Sequence, residues 1–375
     1  MSVSLSHSQA RQLRLRAQRL VPRGREAVAG AAEIVRALCG VQAQEAAAAA
    51  LSVRARSAGP VAADVEHART QERSVVRTWG MRGTLHLLAA EDLGWLLPLL
   101  GPIFIAGGRR RRAELGLDDE TCAQGIRLIS QALASHGPLT RAELVEQLAL
   151  HGLRIEGQAR PHLLARAALE GHICLGPDRG SEPTYVLLAD WIAYHPARSP
   201  DAARAELARR YLDAYGPATP DDLATWSGLA LSAARTSWGR MADQLVEVEV
   251  AGQPAWMLKA HADRLDEALV VSPVVRLLPR FDTYLLGYRS RDLVVAPEYA
   301  RRINAGGGIV HPTLVVDGHV MGTWKSARQG HGLEVLVQPF DVLAPEIYPA
   351  LEAEVADLAR FLDVQTALRV LPPPL

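Results

Sequence analysis

The chain has 375 residues, 49% of them hydrophobic and 22% charged, with a formal net charge of zero. That balance excludes a disordered polyelectrolyte and a protein coated in basic surface, and the length suffices for two to four compact units of roughly 100–200 residues. Only two of the 41 cations are lysines, Lys259 and Lys325. Arginine dominance suits bidentate phosphate contacts and leaves few amines for Schiff-base chemistry, although a high-GC codon bias would give the same composition.

Cys39, Cys122 and Cys174 lie far apart with no Cys-x-x-Cys pair, so neither a disulfide framework nor a zinc site is expected. The first eleven residues lack an apolar signal core. A reducing, cytoplasmic setting is the expectation.

In chain order, periodicity predicts helices over 5–19, 29–38 and 61–72, then strands at 74–79 and 84–88 around the turn Gly80-Met81-Arg82-Gly83. The most apolar stretch, 93–108, is interrupted by Pro98, Gly101 and Pro102. It falls short of the ~18–20 uninterrupted apolar residues that span a bilayer and reads as a buried helix and turn.

An internal echo follows. Gly137-Pro138-Leu139-Thr140-Arg141-Ala142-Glu143-Leu144 recurs as Gly216-Pro217-Ala218-Thr219-Pro220-Asp221-Asp222-Leu223. Each copy offers a threonine N-cap with an acidic residue three positions on, and Pro220 suits a first helical turn. A helical pattern precedes each echo (120–135, 202–215) and another follows it (158–169, 231–242). Short strand pairs then appear at 172–175 with 184–188, and at 245–250 with 255–258. Three helices and a hairpin make the winged helix-turn-helix order, with a weaker first copy near the N-terminus.

From about residue 274 the period changes: 274–278, 283–287, 313–316, 319–325 and 333–337 read as strands, and 345–362 as a closing helix. The fold class expected is therefore α+β: three tandem winged helix-turn-helix units over 1–115, 116–198 and 199–265, then a small C-terminal β-barrel over 266–375. A helical bundle with incidental hairpins is the competing architecture.

Winged helices mostly bind duplex DNA. No Gly-x-x-x-x-Gly-Lys, His-Glu-x-x-His or Gly-x-Ser-x-Gly motif is present, and no cofactor or metal is called for. Three segments carry the remaining information: Gly40-Val41-Gln42-Ala43-Gln44; Arg77-Thr78-Trp79-Gly80-Met81-Arg82-Gly83-Thr84-Leu85-His86; and Leu278-Pro279-Arg280-Phe281-Asp282-Thr283-Tyr284-Leu285-Leu286-Gly287-Tyr288 with Gly322-Thr323-Trp324-Lys325.

Together and in this order the segments resemble the AlkZ and YcaQ family of winged-helix DNA glycosylases. The resemblance implies monofunctional base excision and a C-shaped chain around a DNA channel, with the catalytic pair falling on Gln42 and Gln44. Some members carry Asp where this chain has Gln44, so the likeness is to the Gln-x-Gln type, which protects producers of DNA-alkylating natural products and unhooks interstrand crosslinks. The partner implied is double-stranded DNA carrying alkylated bases, met by a monomer.

The chemistry agrees with that implication. An N7-alkylated purine already carries positive charge and leaves without a general acid. The remaining work is to stabilise an oxocarbenium-like sugar and place a water at its anomeric carbon, which two carboxamides can do. A neutral amide is a poor base, so good leaving groups are expected to be required. Glu45 is a rival for the catalytic role as a true base, and two polar residues ending a helix is the bland alternative for the glutamines.

For DNA contact the candidates are Arg77, Arg82, His86, the run Arg109-Arg110-Arg111-Arg112 and Lys325. The arginine run reads equally as a phosphate contact or a solvated linker. Glu45, Trp79, Asp282 and Trp324 are candidate channel-lining residues; core packing is the alternative for Trp324, and a satisfied barrel turn for Asp282. The rival functions are a non-enzymatic winged-helix transcription regulator and a housekeeping glycosylase for simple methylated purines.

Overall fold

The computed structural model describes residues 3–21, 29–193, 196–265, 273–306, 308–330 and 332–374. The chain divides into two compact units, Met1–Val65 with Ala205–Leu375, and Glu66–Arg204.

Both copies of the echo form the capping box that their sequences announce. Thr140 Oγ1 accepts from the Glu143 N–H at 3.3 Å, and the Glu143 carboxylate accepts from the Thr140 N–H at 2.7 Å, opening helix Arg141–Leu150. Thr219 and Asp222 exchange the same bonds at 3.1 and 3.0 Å, opening helix Pro220–Ser227 with proline in its first turn. A third helix follows each, Ala159–Leu169 and Leu231–Gly239. Then come antiparallel hairpins, Ile173–Arg179 with Glu182–Leu187 and Leu245–Val250 with Gln253–Leu258.

In the unit Glu66–Arg204 the strands Leu85–Ala89, Val75–Trp79, Ile173–Arg179, Glu182–Leu187 and Leu139–Thr140 lie side by side in that order. The core gathers Ile126, Ile129 and Leu133 from helix Asp119–His136 with Leu144, Leu163, Ile173 and Tyr185. The apolar stretch forms one continuous helix, Leu93–Gly107, with Pro98 and Pro102 inside it, where a helix and turn were expected. Its neighbour requires glycine: a Cβ on Gly101 would lie 2.2 Å from the carbonyl oxygen of Leu169, so only a bare backbone permits this approach. By length and composition Ala90–Gly107 could cross a membrane, but seven residues of helix Leu93–Gly107, Trp95 and Leu100 among them, are buried within the protein.

In the other unit, strands Val275–Leu278, Thr313–Val316, His319–Gln329, Gly332–Pro339 and Thr366–Val370 form a sheet in that order. The first four pair antiparallel and the last joins parallel. This corrects the expected barrel: among the described residues the sheet is open, because its two edge strands do not pair. The parallel step needs a crossover, and helix Ile347–Leu362 supplies it. That helix lays Ile347, Leu351, Val355 and Leu358 on Leu277, Leu314, Val335 and Val337, so it provides the second layer that closure would otherwise provide.

A second correction concerns 283–287. This segment is a helical turn, Thr283–Leu286, not a strand. Phe281 adopts φ 59°, which turns the chain out of the preceding strand, and the Asp282 carboxylate accepts from the Tyr284 N–H at 2.9 Å as an N-cap.

Candidate active site

The two glutamines are placed by the way a helix ends. Helix Ala31–Ala37 stops at Leu38, and Cys39 and Gly40 follow with φ of 54° and 113°. Glycine tolerates this region; cysteine does not favour it and is held there by its surroundings. The Tyr215 hydroxyl donates to the Leu38 carbonyl at 3.1 Å, and the Gly40 N–H donates to the Val35 carbonyl at 2.9 Å. The chain then leaves as the short strand Val41–Gln42. Val41 and Ala43 are fully buried, Gln42 is half-buried and Gln44 exposed. The strand ends at Gln42, and Gln44 stands in the bend that follows, so along this segment the apolar side chains are buried and the two carboxamides remain at least partly accessible.

Glu45 comes next, at the N-cap of helix Ala46–Arg54, where its side chain makes no capping bond. Its carboxylate instead accepts from Arg280 Nη1 at 2.6 Å. The rival for general base is thus already committed to a guanidinium.

Behind this edge lies a buried ionic network. The Arg56 guanidinium donates to both Asp282 oxygens at 2.8 Å, and also to Gln18 and Thr283. Ser52 Oγ donates to Asp282 Oδ2 at 2.8 Å. Burial would raise the Asp282 carboxyl, but the Arg56 charge and these hydrogen bonds outweigh it and hold it below the usual carboxylate range. Arg54, fully buried, donates to Glu354 and Asp357 at 3.0 Å each and to the Leu277 carbonyl at 2.9 Å. Neither Arg54 nor Arg56 stands out in the sequence; nothing local distinguishes them from surface arginines on an amphipathic helix. Arg280 lies within the third motif segment, two residues before Asp282, but nothing in the sequence pairs it with Glu45.

Two expected channel-lining residues are placed otherwise. Asp282 is completely buried in that network, and Trp324 is buried in the sheet core with its indole N–H donating to the Leu278 carbonyl at 2.8 Å. Lys325, next along strand His319–Gln329, points to solvent as the pleat requires.

The unit Glu66–Arg204 holds the other candidate residues, and three of its cationic candidates for DNA contact are inside the protein. Arg77 is buried on strand Val75–Trp79, which has neighbours on both sides, and burial lowers its guanidinium from the ordinary value. His86 is buried with Nδ1 2.9 Å from the Thr84 carbonyl oxygen. Burial, helped by the Arg82 charge, pushes its pKa down to about 3, so it is a neutral imidazole at physiological pH. Arg112 is buried against the Ile105 carbonyl.

The rest of the arginine run is no linker: it forms helix Arg109–Glu114. Arg110 and Arg111 pair with Glu114, and Arg109 with Asp119. Arg82 sits half-exposed at φ 56° in the Gly80–Thr84 turn, and Trp79 is half-buried beside the core. Among the described residues no His, Cys, Asp and Glu side chains cluster as a metal site.

The segment around Gln42 thus presents two carboxamides beside an ion-paired carboxylate. The family profile described as DNA glycosylase AlkZ-like matches residues 35–361. An interstrand DNA cross-link repair glycosylase from Streptomyces sahachiroi is 33% identical over 363 residues, covering 92% of this chain and 94% of that protein. The solved structure of the Streptomyces sahachiroi DNA glycosylase AlkZ superposes with a TM-score of 0.82 at 30% identity, covering 98% of this chain and all of the other. The chain belongs to the AlkZ-like DNA glycosylases, and its α+β fold matches that structure.

Proposed function

We propose that this protein hydrolyses the N-glycosidic bond of cationic alkylated purines in duplex DNA, including bulky adducts and interstrand crosslinks, without a lyase step. The observation that carries this reading is the outward placement of Gln42 and Gln44 beside a Glu45 carboxylate already engaged by Arg280. The name of the Streptomyces relative supports the lesion class.

In this mechanism the bond from C1′ to the purine nitrogen breaks with its electron pair going to the base, which neutralises the base's charge. The sugar becomes oxocarbenium-like. The Gln42 and Gln44 carbonyl oxygens orient a water toward C1′ while their amide groups fix its position. The water forms the new C–O bond and loses its proton to solvent. Neither amide takes up the proton well, so a neutral base such as uracil, a poorer leaving group, stays bound to its sugar.

A lyase step would need an amine at C1′. Lys259 donates to the Asp243 carbonyl and Lys325 lies on the sheet, and these are the only lysines. The helix–hairpin segments act as winged helices that bind duplex DNA, with Arg82, Arg109–Arg111 and Lys325 as phosphate contacts, in a monomeric cytoplasmic protein.

The test is a panel of duplexes matched except for the lesion: 7-methylguanine, a bulky N7 adduct, a defined crosslink and uracil. Release from the first three and none from uracil is the expected result. Efficient uracil release overturns the mechanism; rejection of the bulky adduct and crosslink leaves a glycosylase for simple methylated purines.

A further inference from the structure

We propose that Arg280 and Glu45 form a positioning pair that fixes Gln44, the more exposed of the two glutamines; this rests on the assignment of catalysis to Gln42 and Gln44. Helix Ala46–Arg54 begins two residues after Gln44, with Glu45 between them as its N-cap, and its two ends are held very differently. The C-terminal end is locked inside the protein. Ser52 and Arg56 bind Asp282, with the Arg56 and Asp282 side chains both at 0% exposure, and Arg54 binds Glu354.

The N-terminal end is held by the Glu45–Arg280 ion pair, whose side chains are 43% and 35% exposed. Both anchors come from one tripeptide. Arg280 reaches the start of the helix and Asp282 its end, with Phe281 between them in the left-handed region that splays the two side chains. One turn thus holds both ends of the helix that follows the glutamine segment.

The two anchors should therefore separate stability from catalysis. A partly exposed ion pair contributes little to folding, as exposed pairs generally do. A reacting group displaced by about 1 Å, however, can lose ~10²-fold in rate. Removing either partner should leave the fold intact and spoil the aim of Gln44.

The experiment is a double-mutant cycle on the full chain: Glu45→Ala, Arg280→Ala and the double variant, read as single-turnover 7-methylguanine release at saturating enzyme, with duplex affinity and unfolding midpoint measured in parallel. All three variants should lose the same factor, about 10-fold or more, with affinity and midpoint nearly unchanged. The reversed pair, Glu45→Arg with Arg280→Glu, should recover most of the rate.

An inactive Glu45→Ala beside a wild-type Arg280→Ala would overturn the proposal and make Glu45 a base. Weakened duplex affinity with intact rate in Arg280→Ala would overturn it in favour of a phosphate contact. Wild-type rates in all three would also overturn it, and if Gln42→Ala and Gln44→Ala were still inactive, only the positioning role would fall. Wild-type rates for those glutamine variants alongside slow pair variants would instead dismiss the catalytic assignment.

Discussion

The segment around Gln42 and the hairpin around His86 are both short stretches of extended chain carrying polar side chains, yet they use them in opposite ways. At Val41–Gln44 a two-residue strand runs into a bend, and Val41 and Ala43 fill the core while Gln42 stays half-buried and Gln44 exposed. At Val75–Trp79 the strand lies between Leu85–Ala89 and Ile173–Arg179, and Arg77 and Thr78 are both buried. Alternation can expose a polar residue only where one face of the strand meets water. A minority of this protein's charges accordingly lie inside it, Arg54, Arg56 and Arg77 among them, while the proposed catalytic positions are neutral.

That contrast can be broken at three places. The largest effect is expected at the ionic network behind the glutamines. Asp282→Asn leaves the buried Arg56 guanidinium without its counter-charge, and losing one partner of such a pair costs about 3–5 kcal/mol. Denaturant unfolding should register that loss; a change under about 1 kcal/mol, roughly the worth of an exposed pair, would show that the network does not anchor the helix.

The next effect belongs to the hairpin. The folded chain keeps His86 neutral down to about pH 3, whereas the unfolded chain protonates near 6.5. Between those values the unfolded state binds the extra proton, so stability falls as the pH drops through that window. From pH 7 to 5 the expected loss from this residue is about 2 kcal/mol. His86→Gln should remove that part of the pH dependence, and an unchanged profile would place a charged, solvated imidazole there instead.

The smallest effect concerns DNA grip and sharpens the division between buried and exposed cations. Neutralising Arg82 or Lys325 should reduce the slope of log affinity against log salt by about 1 for each phosphate no longer neutralised. Arg77→Met and Arg112→Met should leave the slope alone, since both guanidiniums are buried. A slope that responds to the buried pair and ignores the exposed one would reverse the assignment.

What the sequence revealed follows the same divide between local and non-local information. The boxes at Thr140 and Thr219 were legible because a cap is written within four residues. The hairpins were legible from strand periodicity. The turn at Thr283–Leu286 was not, because it depends on Phe281 adopting a left-handed conformation and on Asp282 serving as cap and ion-pair partner at once. The open sheet was not legible either, since closure depends on whether two distant edges meet. The glutamines were legible through family resemblance, and only the observed burial of Val41 and Ala43 fixes the side on which they stand.

The central claim is that Gln42 and Gln44 direct the water that replaces the base. The most direct measurement is single-turnover release of 7-methylguanine from a duplex by the native protein, Gln42→Ala and Gln44→Ala, each at saturating enzyme. Both variants should slow release by ~10²-fold or more, the usual cost of removing a positioning group, while duplex affinity and unfolding midpoint stay near the native values. Native release rates in both variants would contradict the account.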